Sequence, residues 1–348
     1  MSRALDKDAA ASIKAGEAQK FYNDIVQILS LNTSSDSLPH KLLDIELLGK
    51  GQLPDGVNSL ILQNSVGIRK DQLVQAFVVA RQVFFKIKDL GPDYSQEIRD
   101  ATAVILLTDP EHLTACNARK RLLQHILNTS ATTRVLETAV KRELYFIDSL
   151  LTSHLNRHTK SPTLWSHRRW LFEIRQSMHL PHDVLGDLTS IVMVAAERHP
   201  RNYYAFSHMR WLVESVEGGL SASTYLVMID NVKKWCLRHP GDTSGWSFLL
   251  FCLSSDTILK ALDPVVRTSL ICEEVLGMAI SLRWKEESLW VFLRTLVASG
   301  NVTEKWRFTF LQTLEDLKNS LDDPRGRRIT QAALEWYLEY GEKTQSVG

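Results

Sequence analysis

Apolar residues at Leu188, Ile191, Val192 and Ala195 follow the i, i+3, i+4, i+7 spacing of one helix face. This pattern predicts a helix ending near Arg198-His-Pro200-Arg, where proline breaks it. A second helix is predicted to open at about Asn202, a good N-cap, and to run to about Ser215 before Gly218-Gly219 stops it. The preceding stretch follows the same plan. Val135, Leu136, Ala139 and Val140 start a long helix to about Asn156, and Ser161-Pro162 supplies an N-cap with proline at the first helical position. Asp71 to Ile87 also reads as helical. Residues 1 to about 70 hold a helical opening (Phe21, Ile25, Ile28), then a Ser/Asn/Gly/Pro-rich stretch with short apolar runs such as Leu60-Ile-Leu62, read as a packed, partly irregular lead-in.

A long period overlies the short one. Trp165, Phe206, Trp246 and Trp290 are spaced by 41, 40 and 44 residues, and Cys116 lies 49 before Trp165. Each stands six residues after a turn position: Pro110, Thr159, Pro200, Pro240 and Trp284. Arg157-His158 recurs as Arg198-His199-Pro200 and as Arg238-His239-Pro240, and His167 recurs as His208. A period near 40 without strand-like alternation predicts one helical hairpin per unit and an all-α solenoid. The organisation expected is a lead-in over 1–95, five repeats over 96–300, and capping helices over 301–348, at about Thr303 to Ser320 and Arg328 to Tyr340 around Asp322-Asp-Pro-Arg-Gly326. Within each second helix the key residue and a cation four later share a face: Trp165 with Arg169, Phe206 with Arg210, Trp290 with Arg294, Cys116 with Lys120. Stacked units are therefore expected to build a ladder of aromatics and cations. The fourth unit departs, with Leu250 at the cation position.

Composition narrows the chemistry. The chain has 348 residues, with 41 Lys and Arg against 40 Asp and Glu, so no excess of cations is available for nucleic acid. A hydrophobic content of 44% excludes disorder. The start, Met1-Ser-Arg-Ala-Leu-Asp-Lys-Asp, lacks a signal-peptide stretch, and no apolar run of membrane-spanning length is found in the repeats, so a soluble, cytoplasmic protein is expected. Cys116, Cys236, Cys252 and Cys272 form no CxxC pair and read as buried thiols. The final Gln345-Ser-Val-Gly348 contains no cysteine, hence no prenylation signal of its own. The repeating histidines read as structural groups that cap or bridge neighbouring units, and no metal site is expected. Neither a nucleophile elbow nor a phosphate-binding glycine loop occurs, so no self-contained active site is visible. The nine tryptophans need either a core or a site rationale. Two turns hold the remaining candidates: Lys160, and Arg201-Asn202-Tyr203. From spacing alone they are either an anion contact or a solvated lysine beside a half-buried tyrosine.

The units Lys160-Ser-Pro-Thr-Leu-Trp165-Ser-His-Arg-Arg169-Trp and Arg201-Asn-Tyr-Tyr-Ala-Phe206-Ser-His-Met-Arg210-Trp resemble the alpha-subunit repeat of protein prenyltransferases, with its Asn-Tyr-x-x-Trp-x-x-Arg-Arg core. The resemblance spans roughly residues 96 to 300 and is most specific in the second and third units. It implies a right-handed alpha-alpha superhelix of TPR-like hairpins wrapped around a separate beta subunit. That subunit would hold the catalytic zinc, with or without magnesium, and the isoprenoid pocket; no cofactor is implied in this chain. By the same resemblance, Lys160 stabilises the diphosphate leaving group and Tyr203 stands at the corresponding turn of the next repeat. Asn202, Arg201 and Thr163 become substrate or partner contacts. Trp165, His167, Arg169, Phe206, His208, Arg210, Trp246 and Trp290 become structural or interface positions, with Arg169 and Arg210 in salt bridges across the repeat face or to the beta subunit.

Thr163 stands where farnesyltransferase-type alpha subunits place a glutamine for the substrate's C-terminal carboxylate, and Pro162 where the family often has Tyr. Together with Thr108-Asp-Pro110 and Thr114-Ala-Cys116-Asn-Ala-Arg119-Lys, these departures are similar to a branch whose alpha chain pairs with the Rab geranylgeranyltransferase beta subunit. Such a type III-like enzyme transfers geranylgeranyl from its diphosphate to a C-terminal cysteine of an acceptor protein, often one already farnesylated. The alternatives are the alpha subunit of farnesyltransferase and type I geranylgeranyltransferase, or a non-enzymatic TPR-like scaffold.

Overall fold

Helices account for about three quarters of the residues that the computed structural model describes, which are 15–30, 41–49, 51–53, 57, 59–129, 132–216, 218–254, 263–320 and 323–341. The presequence reading at Met1 to Asp8, much of the Ser/Asn/Gly/Pro-rich stretch, Asp322 and the final Gln345-Ser-Val-Gly348 lie outside these residues.

The elements in chain order are α1 (Ala15–Ser30), β1 (Asp44–Leu48), β2 (Ser59–Leu62), β3 (Ser65–Arg69), α2 (Lys70–Ile87), α3 (Ser95–Thr108), α4 (Leu113–Thr129), α5 (Thr133–Leu151) and α6 (Pro162–Ser177). Next comes α7, a run of Val184–Asp187, a π turn over Leu188–Val192 and Met193–Arg198. It is followed by α8 (Tyr203–Ser215), α9 (Ala222–Arg238), α10 (Thr243–Ser254), α11 (Pro264–Ser281), α12 (Glu287–Ala298), α13 (Glu304–Ser320) and α14 (Pro324–Tyr340). Two compact units divide the chain, one comprising 1–183 and 194–199, the other 184–193 and 200–348.

In the first unit α1 packs on α2 and α3, and the series α2, α3, α4, α5 continues by neighbour contact, with α5 also on α6. The periodic residues explain the burial: Ala18, Tyr22, Ile25, Ile28 and Leu29 line one face of α1, and Leu73, Ala76, Ala80, Phe84 and Ile87 one face of α2. The lead-in is more regular than expected. It contains a three-stranded sheet of order β1-β3-β2, with β1 parallel and β2 antiparallel to β3. Ile45, Val66 and Ile68 bury its inner face, while Leu60, Ile61 and Leu62 are exposed. This sheet adds regular structure to a lead-in expected to be packed and partly irregular. It also sets the end of α5, expected near Asn156 but found at Leu151. Thr152 and Ser153 turn their hydroxyls back onto the carbonyls of Asp148 and Leu150, and the His154 N–H leaves the helix to donate to the Ile45 carbonyl of β1 at 3.0 Å.

In the second unit the hairpins repeat. The second helices pack in the series α8, α10, α12, α14, and α11 packs on α12 and α13. Leu188, Ile191 and Val192 are buried as their spacing predicts, and α8 begins at Tyr203 with Asn202 as its N-cap. The two helices assigned to capping, α13 and α14, pack as another hairpin against α12, with Phe310 and Tyr337 ring to ring at 5.9 Å.

Candidate functional site

Each second helix starts at a turn that a neighbouring turn braces. The Ser161 hydroxyl caps α6 by accepting from the Leu164 N–H at 3.1 Å, and donates to the Pro110 carbonyl at 3.2 Å, so one atom ends one turn and ties it to the previous one. Thr163 Oγ1 donates to Glu111 Oε2 at 2.5 Å, and Arg157 pairs with Asp109 at 3.3 Å. The second unit does the same with other residues. Asp242 Oδ1 caps α10 by accepting from the Ser244 and Gly245 N–H groups, while its Oδ2 accepts from the Arg201 N–H at 2.5 Å. Ser288 Oγ donates to the Gly241 carbonyl at 3.2 Å.

Against this frame the candidates separate. Lys160 closes the single helical turn Asn156–Thr159 and is half-buried in the first unit. Tyr203 belongs to the second unit and is 66% exposed, its ring edge-on to Tyr204 at 5.9 Å, so it is no core tyrosine. Asn202 is wholly buried, with its side-chain oxygen accepting from the Ala205 N–H at 3.2 Å; it is a helix cap with no surface to offer a ligand. Arg201 adopts a left-handed backbone, φ +59°, a conformation disfavoured for a side chain with a Cβ and held here by Asp242. Thr163 is bound to Glu111.

The six-residue interval has a physical cause. The indole N–H of Trp165 donates to the Thr159 carbonyl at 2.9 Å, that of Trp246 to Pro240 at 2.9 Å, and that of Trp290 to Trp284 at 3.0 Å. Each ring is buried and latches the turn that precedes its own helix. Phe206 keeps the place without the donor. The expected ladder of each key aromatic with its own cation is not what forms. The cations reach the next hairpin instead: Lys120 lies over Trp170 at 5.3 Å, Arg210 over Phe251 at 5.4 Å, and Arg294 over Trp336 at 4.6 Å. Trp170 and Phe251 stand five residues after Trp165 and Trp246, so the helical pitch turns them toward the neighbour's cation.

The histidines bridge. His158 Nε2 meets the Leu106 carbonyl at 2.9 Å, and His199 Nδ1 the Asn156 carbonyl at 2.7 Å. His239 caps its own helix at Trp235 and stacks on that indole at 4.3 Å. His208 is buried beside Trp211. His167 lies between Cys116 Sγ at 3.4 Å and Glu143 Oε1 at 3.3 Å. Burial pushes both His158 and His167 down to about 4.

Sequence reasoning missed the buried charges. Arg119 makes two 2.8 Å bonds to Glu143 and lies over Phe146 at 4.1 Å. Burial alone would raise the Glu143 carboxyl, yet Arg119, His167 and Arg99 together hold the group below its ordinary value. Arg168 bonds Asp148 at 2.7 Å and is 2% exposed. Arg169, expected in a structural or interface salt bridge, is half exposed and pairs with Glu173 of its own helix at 3.5 Å. Arg210 donates to Ser247 at 2.7 Å rather than to a carboxylate. The missed signal was a lone carboxylate inside an apolar run, Tyr145-Phe-Ile-Asp148-Ser-Leu-Leu.

Among the described residues, no three His, Cys, Asp or Glu side chains gather to hold a metal ion, and no helix is long and apolar enough to cross a membrane. The four cysteines are buried free thiols, with burial pushing Cys116, Cys252 and Cys272 up to about 12.

Residues 140–175 match the protein prenyltransferase alpha subunit repeat, and residues 164–275 match the ECM9 middle domain. The chain is 27% identical over 237 residues to protein prenyltransferase alpha subunit repeat-containing protein 1-A of Xenopus laevis, covering 62% of this chain and 51% of that protein. It is 28% identical over 185 residues to protein ECM9 of Saccharomyces cerevisiae, covering 53% and 47%. Over 104 residues it is 30% identical to geranylgeranyl transferase type-2 subunit alpha of Rattus norvegicus, covering 30% and 17%. The chain thus spans about half the length of the first two and less of the third. The resemblance to prenyltransferase alpha-subunit repeats, read from the repeating residues, is shown by these matches.

Proposed function

We propose that this chain is the alpha-type subunit of a heterodimeric protein prenyltransferase acting in the cytoplasm, of the type III-like class that transfers geranylgeranyl to a cysteine thiol. The supporting observation is the alpha-subunit repeat matched at 140–175, which contains the braced turn carrying Lys160. In the reaction the acceptor sulfur forms a bond to the first isoprenoid carbon as the carbon–oxygen bond breaks and diphosphate departs. The Lys160 ammonium offsets the charge gathering on that leaving group. Tyr203 keeps the role that the resemblance implies, at the corresponding turn of the next repeat. In this reading the zinc, which would activate the acceptor thiol, is assigned to a beta-type partner.

Glu111 favours this class over a farnesyltransferase-type alpha subunit. Its carboxylate accepts from Thr163, where the latter class holds a substrate carboxylate, and two carboxylates at one point repel.

The test is reconstitution with a Rab geranylgeranyltransferase-type beta subunit, labelled geranylgeranyl diphosphate, and farnesylated or unmodified acceptor protein. Lys160→Ala is expected to slow single-turnover transfer about 100-fold while leaving the heterodimer intact. An unchanged rate removes Lys160 from the mechanism. Failure to bind any zinc-containing beta subunit leaves the scaffold reading.

A further inference from the structure

A cavity of about 480 Å³ opens in the first unit among α1, α3, α4 and α5, a size typical of small-molecule sites. Its surface has two characters. The lining includes the apolar Val26, Leu29, Leu122, Ile126 and Val135, and four arginines, Arg99, Arg119, Arg134 and Arg142, against two carboxylates, Asp100 and Glu143.

The charges do not cancel. Glu143 is taken by Arg119, whose Nη1 also bonds the Arg99 carbonyl at 2.9 Å and Thr102 Oγ1 at 3.1 Å, so that pair is complete. Asp100 accepts from Gln96 Nε2 at 2.8 Å, and burial pushes its carboxyl up. The Arg99 guanidinium donates to the neutral Gln96 Oε1 at 3.0 Å, and burial followed by the charge of Arg119 lowers its pKa against the opposing pull of Glu143 and Asp100. Nε of Arg142 is buried with no hydrogen-bond partner among the described residues. The Arg142 guanidinium also lines the cavity, and an anion's oxygens accept from guanidinium N–H donors.

We propose that this cavity binds an amphipathic anion, with a phosphate or carboxylate head on Arg99 and Arg142 and an apolar tail along Leu29, Leu122 and Ile126. Guanidinium groups bind either head through paired N–H donors, and the cavity is too apolar for a bare inorganic ion to fill. This assignment is independent of the prenyltransferase reading and concerns this chain alone.

The experiment is titration calorimetry on the full chain with octyl phosphate and octanoate below their micelle concentrations, alongside inorganic phosphate and octyl glucoside. Saturable binding of an amphiphilic anion is expected, about tenfold or more tighter than the inorganic ion or the neutral glucoside, and the tighter of the two names the head. Arg142→Gln and Ile126→Ser are each expected to weaken it about tenfold, Arg142→Lys less, and Arg169→Ala not at all. Circular dichroism melts establish that each variant is folded. Absence of saturable binding to the unaltered chain, equal binding of octyl glucoside, or unchanged binding by folded Arg142→Gln overturns the proposal.

Discussion

Arg168 and Arg169 are neighbours in sequence, yet one is 2% exposed against Asp148 and the other half exposed beside Glu173. Removing one partner of a buried pair strands the other charge, so Arg168→Met is expected to cost about 3–5 kcal/mol, whereas Arg169→Ala should stay within about 0.5 kcal/mol. Urea midpoints measure both; similar losses would refute the contrast. The two buried histidines give a pH signature. In the unfolded chain they protonate near 6.5, but folded they remain neutral down to about 4. Protons are therefore taken up first by the unfolded state as pH falls. Stability is full above about 6.5 and lost progressively down to about 4, on the order of 3 kcal/mol per histidine. The midpoint should fall between pH 7 and pH 5, and less so in His158→Gln; equal slopes would refute it. At this scale the sequence shows which residues recur but not which of two adjacent arginines is buried, because the deciding carboxylate sits 20 residues away on another helix.

Helices were legible where a full apolar face and an end signal coincide. Ser161 with Pro162, and Asn202, cap where the side-chain chemistry requires. The end of α5 was not legible, because a carbonyl of a distant strand takes the next N–H. Nor was the sheet, whose strands are four or five residues long and bury two residues at most. One element-level contact reverses a usual rule. A Cβ on Gly245 of α10 would lie 2.5 Å from Trp235 Cζ3, and that indole is fixed between Phe206 and His239. Gly245→Ala should destabilise by about 1–3 kcal/mol despite alanine's helix preference, while Gly277→Ala on α11, with nothing within 4 Å, should stabilise by about 0.5–1 kcal/mol. Thermal melts of the two variants should shift in opposite directions; a shared direction would refute the close approach.

At the scale of the whole molecule, the period of 40 to 49 residues carried the fold, because each hairpin buries its apolar face only against another. The tryptophans divide by contact: Trp165, Trp246 and Trp290 latch turns, while Trp170 and Trp336 receive cations. The balanced charge hid a local imbalance, the arginine-lined cavity, since totals do not register where charges gather. The indole latch has a consequence for how such a chain can change length. An inserted residue between Pro240 and Trp246 would carry the indole N–H away from its carbonyl, whereas one beyond the second helix leaves every latch closed. The spacings agree: the distance between units drifts through 49, 41, 40 and 44, while the interval from turn to key residue is six each time. Growth and loss of sequence are thereby channelled into the links between hairpins.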